Sequence, residues 1–367
     1  MKSTLRKLTI TLSIVTSIAV LIASCTGTSK TADVPTVNTH IAEIDKYGNC
    51  ALAVPESEFS AYGYAPGDLT TVTVGTVTFD APVGTNYSDV DNGSFLIRVN
   101  GDTVSIAINM GNFSRTSGGE TGTPVTITLK EKAGYLQQYE VRQLKRSESR
   151  DDYVSDEVFA NFRAVSAGKI AENRLYRSCN PVLADARGPY AAGLVEAARI
   201  KTVLNLADSE ESAVLSQAPY YASLAADDAV VFLNMGVSFT DPDFIAKLYD
   251  GLVFLSQHPT GPYLVHCNEG KDRAGFVSAL LEALNGATLA EMTADYMLSF
   301  ENYYGVQKDT EQYTAIGQTI PKMFTQLNDG KRVTDKNVAH VAERYVLQTV
   351  GISPAQLAAI RNALQQP

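Results

Sequence analysis

The stretch from Tyr263 to Gly275 constrains this chain more than any other. Tyr263-Leu264-Val265-His266 follows Gly261-Pro262 as a short apolar run and reads as a buried strand. Val277, Leu280, Leu281 and Leu284 then recur at i, i+3, i+4 and i+7 until Asn285-Gly286, the mark of a helix and its stop. Between them lies a tight loop at a helix N-terminus. Unpaired backbone N–H groups and the positive end of the helix dipole favour an anion there before any side chain is counted. The same field favours a thiolate at Cys267. Arg273, with five residues between it and Cys267, supplies a planar fork that can hold two phosphoryl oxygens and stabilise developing charge. That spacing lets the loop wrap once around a tetrahedral anion, as phosphoryl transfer through a cysteinyl-phosphate needs. A Walker A loop is disfavoured, because it needs Ser or Thr after its Lys and Asp272 stands there.

His266-Cys267-x-x-Gly270-Lys271-Asp272-Arg273-x-Gly275 resembles the signature of the cysteine-dependent protein tyrosine and dual-specificity phosphatases. The Gly-Lys-Asp-Arg wording resembles a bacterial branch, some of whose members also accept phosphoserine, phosphothreonine and phosphoinositides. The resemblance implies attack on phosphorus by Cys267, phosphate binding by Arg273, and a cradle of amides from Asn268 to Arg273. Asn268, Glu269, Gly270, Lys271 and Ala274 would line the substrate, with Lys271 adding charge for multiply phosphorylated ligands. No cofactor or metal is implied. One departure is Ala274, where the family usually places a hydroxyl residue that stabilises the leaving thiolate, so slower turnover is implied. A non-catalytic phosphate-binding module is the rival reading. Asn161-Phe162-Arg163 and Leu175-Tyr176-Arg177-Ser178-Cys179-Asn180-Pro181 resemble the branch's opening motifs, with Ala164 in place of its usual Asp.

Three carboxylates compete to protonate the leaving oxygen. Asp272 is nearest and is favoured slightly over Asp208, which follows the strand Val203 to Leu206. Asp241 precedes Pro242 and fits a helix N-cap better than an acid.

Lys2, Arg6 and Lys7 ahead of an apolar run from Leu8 to Ala23 have the layout of a secretory signal. Leu21-Ile22-Ala23-Ser24-Cys25 resembles a bacterial lipobox, which implies a signal peptide over residues 1–24, a lipid on Cys25, and an exported protein anchored to the cell envelope. An uncleaved anchor is the alternative, although the run is shorter than the ~20 residues a spanning helix needs. Residues 25–40 are polar and aperiodic and read as a flexible tether. The formal charge of -10 disfavours a nucleic-acid partner. A phosphorylated protein or inositol phosphate is the expected partner, together with the membrane. With Cys25 and Cys267 assigned, Cys50 and Cys179 remain; no disulfide framework exists, and Cys179 reads as packed rather than as a resolving thiol.

Residues 41–143 alternate with period two and read as an all-β domain: a bulge at Gly75, a type I′ hairpin at Asn100-Gly101, and a further strand through Val125, Ile127 and Leu129. Asp45-Lys46-Tyr47-Gly48-Asn49, Thr85 to Val90 and Ile106 to Asn112 resemble the C-terminal β domain of the S-adenosylmethionine hydroxide adenosyltransferases. In that family the cofactor-handling aspartate belongs to an N-terminal α/β domain not expected here, so residual ligand binding through Asn49 is the most the resemblance implies. A charged linker is expected over residues 144–157 and the catalytic domain over 158–367. Strand-like and helical runs alternate from Ala191 to His266, arguing a parallel-rich central sheet with helices on both faces, followed by helices at 289–300, 311–327, 337–349 and 354–364. The fold class is therefore an α/β phosphatase domain preceded by a smaller all-β domain.

Overall fold

The computed structural model describes residues 36–366, so the expected signal segment and Cys25 lie outside the described residues. Alternating apolar positions close seven strands into a barrel of order β1-β2-β6-β5-β4-β3-β7. These are β1 (Val37–Ile44), β2 (Cys50–Pro55), β3 (Leu69–Val74), β4 (Val77–Gly84), β5 (Phe95–Asn100), β6 (Thr103–Ile108) and β7 (Pro124–Glu131). Short helices α1 (Glu56–Ala61) and α2 (Phe113–Ser117) flank them. Val37, Ile41, Val72, Ile97, Ile106 and Ile127 fill the interior. Three expectations are corrected. Residues 37–40 belong to β1, paired with β7, because Val37 and Ile41 alternate with polar neighbours into the barrel core. Gly75 is no bulge: Val74 pairs with Val77, and Gly75 at φ +58° lets the chain reverse in two residues. The β5–β6 hairpin pairs Asn100 with Thr103, leaving Gly101-Asp102 as the loop; with positive φ at Gly101 alone, it fits a type II′ turn rather than I′.

Beyond the barrel, α3 (Leu136–Gln143) packs on the helical body, where Gln137 donates to Thr319 at 2.9 Å and Gln312 donates to Glu140 at 3.0 Å. The charged run after it is docked rather than free. Arg146 pairs with Glu269 at 2.9 Å, and the buried Arg187 donates to the Ser147 carbonyl and pairs with Glu148 at 3.2 Å. Interleaved charges that look solvated in sequence here satisfy buried partners.

After α4 (Asp156–Phe159), the second sheet comprises β8 (Arg163–Ala164), β9 (Leu175–Ser178), β10 (Thr202–Asn205), β11 (Val230–Phe232) and β12 (Tyr263–His266), in the order β11-β10-β12-β9-β8. Its four longer strands run parallel, and β8 pairs antiparallel with β9. Tyr263 and Val265 of the central strand face one core, with Leu204 and the helices α7 (Pro242–Gln257), α8 (Asp272–Leu284) and α9 (Leu289–Tyr304). Leu264 and Val203 face the other, against α5 (Gly188–Ala197) and α6 (Pro219–Ala226). Burial on both faces explains why β12 reads as an unbroken apolar run. The expected helix over 311–327 is two, α10 (Glu311–Gly317) and α11 (Thr319–Leu327), since Pro321 has no N–H to return to Gly317. The chain closes with α12 (Val338–Arg344), a π-helical turn over Tyr345–Val350, and α13 (Pro354–Gln365). No helix among the described residues is long and apolar enough to cross a membrane.

Leu264 is fully buried in the middle strand. Leu264→Ala should lower unfolding free energy by about 2–5 kcal/mol in a denaturant titration, and a loss near zero would contradict two-sided packing of the sheet.

Candidate active site

The loop leaving β12 lies at the C-terminal edge of the sheet, where the strands hand over to helices and open α/β sheets place ligands. Cys267 is 3% exposed, directly after β12, and α8 begins at Asp272. Two glycines, one in the loop and one in the first turn of α8, leave no room for a Cβ. Gly270 has φ +64°, and a Cβ there would stand 2.2 Å from the Ser178 carbonyl oxygen. A Cβ on Gly275 would meet the Tyr296 ring at 2.8 Å and Arg177 Nη2 at 3.0 Å.

Four successive loop carbonyls are held from outside. That of Asn268 accepts the Asn180 N–H at 3.2 Å. That of Glu269 accepts the Tyr303 hydroxyl at 2.7 Å and the Asn161 side-chain amide at 3.1 Å. Arg177 donates to the Gly270 carbonyl at 2.7 Å and to that of Lys271 at 3.0 Å. In a planar trans peptide the N–H points opposite to the C=O, so the N–H groups of Glu269, Gly270, Lys271 and Asp272 turn away from these donors. Together with the N-terminus of α8 they form a concave set of donors suited to an oxyanion.

Arg273 is placed at this edge by Nη1, which donates to the carbonyls of Leu206 at 3.2 Å and Met235 at 3.0 Å, just beyond β10 and β11. His266 is fully buried, and its Nε2 meets the Tyr221 hydroxyl at 2.8 Å. Burial, with the nearby Arg273 guanidinium, pushes its pKa down to about 3, so the ring is neutral. Lys271 has partners of its own in the loop and on α9. Its ammonium pairs with Glu269 at 3.0 Å and donates to the Tyr304 hydroxyl at 3.1 Å, under the Phe300 and Tyr304 rings. Glu269 is shared between this ammonium and Arg146.

The three carboxylates separate. Asp272 is exposed at the start of α8, and desolvation by the crowded loop raises its pKa above the usual carboxylate value, partly opposed by Lys271. Asp208 is buried and accepts from Asn180 at 2.8 Å and Asn205 at 3.0 Å. Asp241 accepts the Asp243 N–H at 2.9 Å as the N-cap of α7. Asn268 is exposed on the rim and Ala274 is fully buried behind it. Burial pushes the Cys179 thiol far above its ordinary range.

Arg177, Asn161 and Tyr303 escaped sequence reasoning as supports of the loop, although the first two sit in motifs that stood out. A bare motif carries no sign of which backbone carbonyl a distant side chain will reach. In the barrel, Asp45, Tyr47, Asn49, Tyr87 and Ile108 to Gly111 line a separate cavity of about 500 Å³. Asn49 spends its amide there on Asp45 at 2.8 Å and Tyr87 at 3.2 Å.

A buried neutral His266 makes the fold sensitive to acid. Its folded pKa lies below the ordinary value of about 6.5, so the unfolded chain binds more protons in between, and stability should fall as pH drops from about 6.5 towards 3. His266→Gln should flatten that slope in pH-dependent denaturation; an unchanged slope would contradict a neutral ring.

No curated protein matches the chain. Among solved structures, an uncharacterized conserved protein from Thermotoga maritima is 28% identical over 25% of this chain and 36% of its own, with a TM-score of 0.25. The chain thus spans little more than a third of that protein. The core catalytic domain of PP-IP phosphatase SIW14 from S. cerevisiae, in complex with citrate, is 19% identical over 46% of this chain and 93% of its own, with a TM-score of 0.28. Residues 39–126 match the SAM hydroxide adenosyltransferase C-terminal domain, in line with the resemblance carried by Asp45 to Asn49. Residues 159–366, which contain the whole loop and the groups that hold its four carbonyls, match the tyrosine phosphatase family, and the chain belongs to that family.

Proposed function

We propose that the protein hydrolyses phosphate monoesters through a cysteinyl-phosphate on Cys267. The observation that carries this reading is the set of four outward-held carbonyls, which turns consecutive amides to one side of a loop that also bears Cys267 and Arg273. The Cys267 thiolate attacks phosphorus in line, forming the S–P bond as the ester P–O bond breaks, and the leaving oxygen takes a proton from Asp272. Water then attacks phosphorus while giving a proton back to the Asp272 carboxylate, the S–P bond breaks, inorganic phosphate leaves, and the thiolate is restored. The amides and the Arg273 fork receive the charge that grows on the phosphoryl oxygens. Asp272 is assigned as acid because its raised pKa keeps a proton more readily available and its carboxyl reaches solvent at the start of α8, next to Arg273 in the chain.

The substrate class is a phosphorylated protein side chain or an inositol phosphate. Because the Lys271 ammonium is already paired with Glu269, selectivity for multiply charged substrates is not assigned to it. With a signal over residues 1–24 and a lipid on Cys25, the substrate would be met outside the cytoplasm.

Ala274 favours a second reading, a slow or non-catalytic phosphate binder, because the position after Arg273 is fully buried and carries no hydroxyl. Kinetics separate the two. The full chain should turn over an aryl phosphate, Cys267→Ser should lose activity by several orders of magnitude, and Arg273→Lys should lose on the order of 10²-fold because ammonium has no bidentate fork. Unchanged turnover in Cys267→Ser would sink the mechanism. A burst of one equivalent of alcohol followed by a slower phase, accelerated in Ala274→Thr, is expected if hydrolysis of the intermediate limits the rate; absence of any burst or turnover would favour the binder.

A further inference from the structure

Beneath the loop lie four ionisable side chains from four elements: Arg163 of β8, Arg177 of β9, Glu282 of α8 and Asp295 of α9. Arg177 and Glu282 are fully buried, and Asp295 is 8% exposed. Asp295 receives Arg163 Nε at 3.0 Å through one oxygen and Arg177 Nη1 through the other. Arg163 continues to the Asn161 side-chain oxygen at 2.7 Å and to the Ser299 hydroxyl at 3.1 Å. The Asn161 amide reaches the same hydroxyl at 3.1 Å and the Glu269 carbonyl at 3.1 Å. The group therefore ends on the carbonyls of Glu269, Gly270 and Lys271.

Its charge state follows from crowding. Two adjoining buried carboxyls cannot both ionise. Despite burial, Arg163 and Arg177 hold Asp295 below its usual pKa, while burial and the neighbouring Asp295 push Glu282 well above its own. Two guanidinium groups thus converge on the Asp295 carboxylate on the carbonyl side of the loop.

We infer that Arg177, anchored by Asp295, is a positioning residue for phosphate binding: it fixes the peptides that follow Gly270 and Lys271 so that their N–H groups face the phosphoryl oxygens. The inference rests on the phosphate-site reading above and adds to it the group that sets the loop's donor geometry. A guanidinium bonded to two carbonyl oxygens also polarises those amides, strengthening the N–H at the opposite end of each. A purely structural role would hold the fold together without affecting anion affinity in molecules that remain folded.

The test uses the full chain, with tungstate affinity by calorimetry, aryl-phosphate kinetics, and the melting midpoint for wild type, Arg177→Lys and Asp295→Asn. Lysine keeps the charge but lacks the planar fork by which Nη1 holds Asp295 while Nη2 holds the two carbonyls, and Asp295→Asn keeps the shape while releasing the anchor. Both variants are expected to weaken tungstate binding about tenfold or more in folded protein, Arg177→Lys the more strongly. Asp295→Asn carries the test if Arg177→Lys does not fold. Wild-type tungstate affinity in the folded variants overturns the inference while leaving turnover, and so the phosphatase reading, intact. Tight tungstate binding without turnover in the wild type removes the phosphatase reading, and its weakening in the variants still supports the role of Arg177.

Discussion

The site depends on one constraint: the carbonyls from Asn268 to Lys271 all need partners on the outside of the loop. A buried unpaired carbonyl is costly, and a loop that curls its amides inward forces its carbonyls outward against the sheet and α9. The sequence meets this demand from several directions at once. β9 supplies Arg177, the turn after it supplies the Asn180 N–H, the turn after α4 supplies Asn161, and the last turn of α9 supplies Tyr303. Gly270 is the hinge of the arrangement, since its positive φ and missing side chain let the backbone close against the Ser178 carbonyl.

The same contacts explain why the preceding segment is ordered. Arg146 reaches Glu269 across the Tyr303 ring, and Arg187 lies over the rings of Tyr153, Phe159 and Tyr303. The run between the barrel and the sheet is thereby stapled to the rim of the loop. Glu269 lies between Arg146 and Lys271, which hold its pKa below the usual value despite burial, so the rim carries compensated rather than free charge.

Local patterns made much of this legible. The apolar run of β12, the helical spacing of α8 and the glycines of the loop are short-range features, and they locate Cys267, Arg273 and Asp272 without knowledge of the rest of the chain. Helices and strands of the second sheet were readable for the same reason, because burial on one or both faces writes a period into the residues. What the sequence could not reveal depends on distant partners. Arg177 lies 93 positions from Gly270 and Asn161 lies 108 from Glu269, and nothing near either residue names its carbonyl. For Lys271, Tyr304 and Phe300 arrive from another helix, and nothing in the loop's own residues announces them. At Gly75 a turn stands where a bulge was expected, and the β5–β6 loop falls on Gly101-Asp102 rather than Asn100-Gly101, because register depends on which pairs the neighbouring strands select, which alternation alone leaves open.

The central claim is that consecutive backbone amides of this loop, not its lysine, bind the phosphoryl group. A crystal structure of the protein with bound tungstate tests it most directly. The account expects the anion beside Cys267 Sγ, with its oxygens within hydrogen-bond distance of the N–H groups of Glu269 to Asp272 and of the Arg273 fork. Tungstate held instead by the Lys271 ammonium, with the loop carbonyls turned inward, would contradict it.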